Sequence, residues 1–439
     1  MTQIPRMSPV SPEPYDPHLN APNIKYGLPE TVQFCAKCVM SNQRPNSVVE
    51  YQHRKDSLKP SMRFFDDGVC SACKVWDDKR NAIDWTERER LLREVCDRHR
   101  SKDGSHDCIV PGSGGKDSFY AAHVLKHQFG MTPLTITWAP NLYTDWGWRN
   151  FQAWIHGGFD NVLITPNGRV HRLLTRLAVE NLLHPFQPFI IGQKMLAAKL
   201  SVRHKIPLVF YGETAAEHGQ PPEEEVDGRM EWDFFTSESE ESICIGGTSL
   251  RDLYQHFGVG EGDLALYKPM DPQLIQANKT EVYSLGYFIN WHPQGAYYHT
   301  VEHSNWRPAP ERTPGTYNKF HSLDDKIDDL HYYTTYIKFG IGRCSYEASV
   351  DVRSGDLSRE EAVSLVKRYD GEYPTRFEDE LFEYLSIEEN EFPIATNQFE
   401  QSRMDRDYFM DLCDNARSPH LWKYDQGQWS LRHTAYEQS

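Results

Sequence analysis

The sequence predicts an α/β fold: a parallel sheet, preceded by a small metal module and followed by a mostly helical region. Three observations carry this. Short apolar runs alternate with stretches of helical spacing between residues 107 and 211. The first run dives into a Ser/Gly loop and re-emerges as a helix. Two Cys-x2-Cys pairs stand upstream. The expected division is a leader over 1–30, a zinc-knuckle module with linking helices over 31–100, the sheet domain over 101–245, and a mostly helical region over 246–439.

The leader holds Pro5, Pro9, Pro12, Pro14, Pro17, Pro22 and Pro29 and no apolar periodicity, so a flexible or extended arm is expected. Cys35, Cys38, Cys70 and Cys73 then offer four thiolates to one tetrahedral Zn2+. Gly68 suits the turn before the second pair, and Lys37 and Lys74 are expected to offset the thiolate charge. An iron–sulfur cluster is the other metal that four cysteines suit. Four protein thiolates leave no open position, so the metal is read as structural. From 76 to 100 the chain is charged, with Ile83, Leu91, Leu92 and Val95 at helical spacing, which predicts one or two amphipathic helices.

Strands are predicted at 107–110, 133–138, 161–165 and 206–211. Helices are predicted at 117–128, 145–156, 170–183 and 189–204. Strand–helix alternation means a parallel sheet covered on both faces, with ligands beyond the C-terminal strand ends. Ser113, Trp138 and Glu213 fall at such ends. The acidic stretch 217–241 reads as a lid or a solvated loop. Near the end, Ser358 and Glu361 form a capping box that starts a helix over 358–370.

Bulk numbers narrow the function. Acidic residues outnumber basic ones 63 to 47 in a chain of 439, a net charge of −16. That argues against a general nucleic-acid surface, which needs clustered Lys and Arg. No run of about 18 apolar residues exists and the N-terminus lacks a signal-peptide core, so a cytoplasmic protein without membrane insertion is expected. Nine cysteines then point to metal or thiol chemistry rather than a disulfide framework.

The loop Ser113-Gly114-Gly115-Lys116-Asp117-Ser118 is not a Walker A motif. It resembles the pyrophosphate loop of the PP-loop ATPases. Within that superfamily the chain is similar to the N-acetyl sugar amidotransferases over roughly residues 33–395. Besides the loop and both knuckles, the resemblance rests on Gly157-Gly158-Phe159-Asp160, Thr165-Pro166-Asn167 and Tyr211-Gly212-Glu213. Farther on, Gly315-Thr316-Tyr317, Lys338 to Arg343 and Arg353 to Ala362 carry it. One departure is Glu217-His218-Gly219-Gln220, where the family often shows Glu-Tyr-Gly-Gly. This puts the substrate contacts of that stretch in doubt.

The resemblance implies an ATP-dependent conversion of a sugar N-acetyl group to an acetamidino group, for bacterial lipopolysaccharide or nonulosonic acids. It implies ATP, Mg2+ and Zn2+. Ser113, Gly114, Gly115 and Ser118 are expected to donate to pyrophosphate. Asp117 is expected to cap the helix or hold Mg2+ through water, and Lys116 to touch phosphate or face solvent. Trp138 stands near the expected adenine pocket or in the core. Glu213 and Glu217 are the candidate Mg2+ or substrate ligands, and His218 a general acid–base group, a sugar contact or a surface residue. The pairs His299/His303 and His321/His331 are not expected to bind metal, because no Cys or His partners complete them.

No cysteine fits either glutaminase type: residue 2 is Thr2, and none of Cys96, Cys108, Cys244, Cys344 or Cys413 sits in Gly-x-Cys-x-Gly. The resemblance therefore implies a separate glutaminase, with a barrel subunit, as the source of ammonia. Two rival readings are a PP-loop tRNA thiolase, which needs a reactive cysteine near the loop and a basic RNA face, and a scaffold that kept the fold without catalysis.

Overall fold

A computed structural model describes residues 24–221 and 227–437. Most of the proline-rich leader lies outside the described residues. The predicted sheet is present. Its strands are β1 (Cys108–Pro111), β2 (Pro133–Trp138), β3 (Asp160–Ile164), β4 (Leu208–Tyr211) and β5 (Glu281–Ser284), in the order β3-β2-β1-β4-β5. All pairings are parallel, with Ile109 opposite Leu134 and Val209, and Leu208 opposite Glu281. β5 comes from beyond residue 245, where no strand is predicted. Only Val282 and Tyr283 are apolar in it, one on each core, so the four-residue run reads poorly as a strand.

The period of two sorts the central strands onto two cores. Cys108 and Val110 of β1, with Leu208 and Phe210 of β4, face one core. Ile109, Val209 and alternate residues of β2 face the other. Helices α1 (Ser71–Asn81) and α2 (Trp85–His99) precede the sheet. Asp84 caps α2 by accepting from the Thr86 and Glu87 amides, and α2 buries Leu92, Val95 and Cys96. Helices α3 (Lys116–His127) and α4 (Asp145–Ile155) cover the first face with it. Helices α5 (Gly168–Leu182) and α6 (Gln187–His204) cover the second.

The stretch 217–241 is solvated only in part: Glu231 to Asp233 and Glu238 to Glu241 are exposed, while Glu217, Gln220, Phe235 and Thr236 are buried, with Phe235 in the second core.

The C-terminal region is largely helical, as predicted. Its main helices are α7 (Pro293–His303), α8 (Ile327–Phe339), α9 (Arg343–Ser354), α10 (Arg359–Tyr369), α11 (Glu378–Leu385) and α12 (Arg406–Ala416). The Ser358/Glu361 capping box starts α10 as expected. An antiparallel hairpin of β6 (Trp422–Asp425) and β7 (Gln428–Leu431) follows α12. This region shares one core with α5. It shares another with the cysteine module, where Cys35, Cys38 and Met40 pack with Phe339, Ile341 and Leu421. The module is thus held between the two halves of the chain.

The loop between β1 and α3 requires its glycines. Gly114 has φ +95°, and a Cβ there would lie 2.9 Å from the Phe151 Cα. A Cβ on Gly112 would lie 2.4 Å from the Ser118 Cβ. Gly114→Ala is expected to destabilise the protein by about 1–3 kcal/mol through backbone strain. Thermal melts of the two proteins will show whether the midpoint falls.

Candidate functional site

The loop ends in α3, whose first-turn amides are free of intrahelical partners and point at the loop. Gly115 is the N-cap. Ser118 Oγ donates to the Gly115 carbonyl at 3.0 Å, and Trp306 Nε1 donates to the Gly114 carbonyl at 3.0 Å. Thr300 Oγ1 donates to the Lys116 carbonyl at 2.9 Å. Ser113 lies against the Asp324 carboxyl, which burial holds above its usual range. The loop is therefore clamped by residues about 200 positions downstream.

Lys116 is 2% exposed, so it does not face solvent. Its Nζ donates to both oxygens of Asp117 at 2.7 Å. Across the strand ends, Glu213 follows β4 and its Oε2 is in close contact with His218 Nε2. The two loop-facing carboxyls are driven apart. Burial pushes Asp117 up, the charge of Glu213 adds to this, and Lys116 opposes it. Burial also works to raise Glu213, but His218 and Lys116 outweigh it and hold the carboxyl at about 2. Carboxyls separated in this way can play different proton roles at one pH.

Glu217 is placed elsewhere. It is buried, and its Oε1 accepts from Lys79 Nζ of α1 at 2.9 Å. Lys79 also donates to the Trp291 carbonyl at 2.8 Å. Burial pushes Glu217 up and Lys79 down from their ordinary values. Glu217 is a brace between the cysteine module and the loop after β4. Its neighbours do the same: Ser71 Oγ donates to the Gly219 carbonyl at 3.2 Å, and Gln220 Oε1 accepts from the Ser47 amide at 2.8 Å. Of the four residues Glu217 to Gln220, His218 is the one whose side chain meets Glu213.

Trp138 is 2% exposed and belongs to the second core. Its indole lies against Gly192, where a Cβ would come within 2.3 Å, and edge-on to Tyr267. It packs the core, which is the other role its strand-end position allowed.

Sequence reasoning gave no site role to two residues near the loop. His321 lies close enough to feel the charges of Lys116, Glu213 and His218, and burial pushes it well below the usual imidazole range. Arg343 Nη2 donates to the His321 carbonyl at 2.7 Å, and its Nε donates to Glu347 Oε1 at 3.0 Å. Arg343 Nη1 is buried with no hydrogen-bond partner among the described residues. The signal was present, because Arg343 ends one of the blocks that carry the family resemblance.

The cysteine cluster is formed as predicted. The four Sγ atoms lie within 4.8 Å of one another, with Cys35–Cys73 and Cys38–Cys70 at 3.8 Å. Zn–S bonds of about 2.3 Å in a tetrahedron place sulfurs about 3.8 Å apart, so the donor set fits Zn2+. Amides of Lys37, Cys38 and Cys70 point at Cys35 Sγ within 3.5 Å. The charge partner differs from expectation. Lys37 pairs with Asp77 and Lys74 with Asp67, both at the surface. The buried Arg353 of α9 instead sends Nη1 to Cys38 Sγ at 3.7 Å.

Of the C-terminal residues near the loop and the cysteines, His321, Asp324, Arg343 and Arg353 fall in one recognisable unit, while Thr300 and Trp306 precede it. Residues 314–435 match the family described as LPS biosynthesis protein WbpG-like, C-terminal domain. This similarity supports a place in lipopolysaccharide biosynthesis and spans His321, Arg343 and Arg353. No curated protein matches the chain. Among the described residues, no helix is long and apolar enough to cross a membrane.

Elemental analysis of purified protein is expected to find one zinc per chain, absent from Cys35→Ser, with a lower melting midpoint in the variant. Glu217→Gln leaves the Lys79 ammonium buried without a counter-charge and is expected to cost about 3–5 kcal/mol in chemical denaturation. Lys79→Met combined with Glu217→Leu removes both charges and is expected to recover most of that loss.

Proposed function

We propose that the chain is an ATP-dependent amidotransferase. It converts the N-acetyl group of a sugar to an acetamidino group in the assembly of bacterial surface polysaccharide. The observation that carries this is the juxtaposition at the strand ends. A Ser-Gly-Gly-Lys-Asp-Ser loop at a helix N-terminus faces a Glu213–His218 pair, and the WbpG-like region closes the site with His321 and Arg343.

An amide oxygen is a poor leaving group. Attack of that oxygen on the α-phosphorus of ATP expels pyrophosphate and leaves an O-adenylyl imidate. Ammonia then adds to the imidate carbon, a proton leaves the new nitrogen, and AMP departs. Amides of the loop and the Ser113 and Ser118 hydroxyls hold the pyrophosphate. Lys116 adds positive charge next to them. Asp117, whose two oxygens Lys116 holds, would take Mg2+ once Lys116 turned to the phosphates, and the ion would supply charge neutralisation there. His218, oriented by Glu213, takes the proton released when ammonia adds. The unpaired Nη1 of Arg343 is available to an anionic or carbonyl oxygen of the sugar.

Support against the thiolase reading comes from the other cysteines. Cys96, Cys108, Cys244, Cys344 and Cys413 are all buried. Burial pushes the Cys108 thiol, the one nearest the loop in sequence, well up. Ammonia is proposed to come from a separate glutaminase partner.

The test is to incubate tag-free protein with ATP, Mg2+, ammonium and UDP- or CMP-linked N-acetyl sugars. Mass spectrometry is expected to show a loss of about 1 Da, from exchange of O for NH, with AMP and pyrophosphate formed in equal amounts. Asp117→Ala is expected to abolish turnover and, because it leaves the buried Lys116 ammonium without its counter-charge, to lower the melting midpoint while circular dichroism shows the fold retained. Glutamine is expected to replace ammonium only when a glutaminase is added. ADP and phosphate as products would sink the mechanism.

A further inference from the structure

The histidines that the sequence leaves without partners find them in the fold. His123 and His127 stand one turn apart on α3, and His299 and His303 one turn apart on α7. The two helices pack together, and the four imidazoles meet. His299 Nε2 and His123 Nδ1 are 3.0 Å apart. The His123 ring lies 4.3 Å from His127, 4.8 Å from His299 and 4.7 Å from His303, centroid to centroid. His299 and His303 are 4.3 Å apart.

Such a cluster has a specific chemistry. Residues i and i+4 share a helix face, so each pair presents two imidazoles to the same point. Two such pairs on facing helices are how helical scaffolds build metal sites from side chains. Among the described residues no carboxylate hydrogen-bonds to any of the four rings, so their lone pairs have few competing partners. We propose that His123, His127, His299 and His303 form a second metal site, for a divalent first-row transition ion that favours imidazole ligands.

The spacing supports this. Metal–nitrogen bonds of about 2.0–2.1 Å place two ligand nitrogens about 2.9–3.4 Å apart, for square or tetrahedral geometry. The His123–His299 pair is at that spacing already. His127 and His303 are exposed, so their rings are free to turn about χ1 and χ2 onto the same ion. All-imidazole ligation selects Cu2+, Ni2+ or Zn2+ over Mg2+, and Cu2+ binds tightest in that series. The ion joins α3, which begins at the Ser/Gly loop, to α7, whose Thr300 already holds that loop. The site is distinct from the cysteine cluster, whose thiolates are buried in the N-terminal module.

The experiment uses tag-free, full-length protein with its metal content measured as purified. Equilibrium dialysis against Ni2+ and Cu2+ is expected to add one equivalent per chain. The copper form is expected to show nitrogen hyperfine splitting in its electron paramagnetic resonance spectrum. His123→Ala is expected to weaken binding at least about tenfold. His127→Ala combined with His303→Ala changes only exposed side chains, so it keeps the test alive if His123→Ala does not fold. It is expected to weaken binding as much, with an unchanged circular dichroism spectrum. The proposal is overturned if no added equivalent binds. It is equally overturned if copper binds without nitrogen splitting, or if the folded variants bind as tightly as the parent.

Discussion

Four thiolates packed into one point are the constraint from which the arrangement of this chain follows. Thiolates so placed repel one another, and the positive charge that offsets this, from an ion the four could hold or from the chain itself, has to be buried with them. The chain supplies it from far away, with Arg353 reaching Cys38 across 315 positions. Once Arg353 is committed, helix α9 is fixed on the cysteine module. The cores that Cys35 and Cys38 share with Phe339 and Ile341 then follow. Lys79 repeats the device on the other side, carrying its charge to Glu217 in the loop after β4. Removing either cation leaves anionic groups buried without a partner, which is why these contacts hold regions together rather than decorate them.

The candidate site inherits its geometry from those two ties. The Ser/Gly loop belongs to the sheet, yet its carbonyls accept from Trp306 and Thr300, and its Ser113 meets Asp324. His321 and Arg343 arrive with the WbpG-like region, and His218 arrives with a loop pinned to the cysteine module. Three separated stretches of chain therefore converge on one set of strand ends. The charges respond to that convergence. Glu213 is held acidic by His218 and Lys116 against its burial, while burial and the charge of Glu213 push Asp117 the other way.

Local chemistry was legible in the sequence, and long-range pairing was not. The first four strands, α3 to α6 and the Ser358 cap declare themselves through periodicity, glycines and capping residues, all properties of neighbouring positions. The four cysteines declared a metal through spacing alone. Lys37 and Lys74 were the natural counter-charges by adjacency, yet adjacency on the surface lets Asp77 and Asp67 take them. Burial selects Arg353 instead, and no local pattern marks it. β5 was hidden because its apolar run is only Val282 and Tyr283, too short to show a period of two. Trp138 ends β2 and Glu217 lies in the turn after β4, and whether such a side chain faces ligand or core depends on what packs against it, here Gly192 and Lys79.

The stretch Glu217 to Gln220 shows how the ties bear on the chemistry. Its departure from the family pattern first looks like a change of substrate contact. In the fold, Glu217, Gly219 and Gln220 all bond to the cysteine module. Gly219 has φ +103°, a turn that favours glycine and lies between the anchored Glu217 and Gln220. A histidine held by anchors on both sides loses little further conformational freedom on meeting substrate, so its orientation is set before binding. Glu213 then fixes the ring from the sheet side. The metal module, far from the loop in sequence, is in this way part of the support for the one imidazole that faces the Ser/Gly loop from β4.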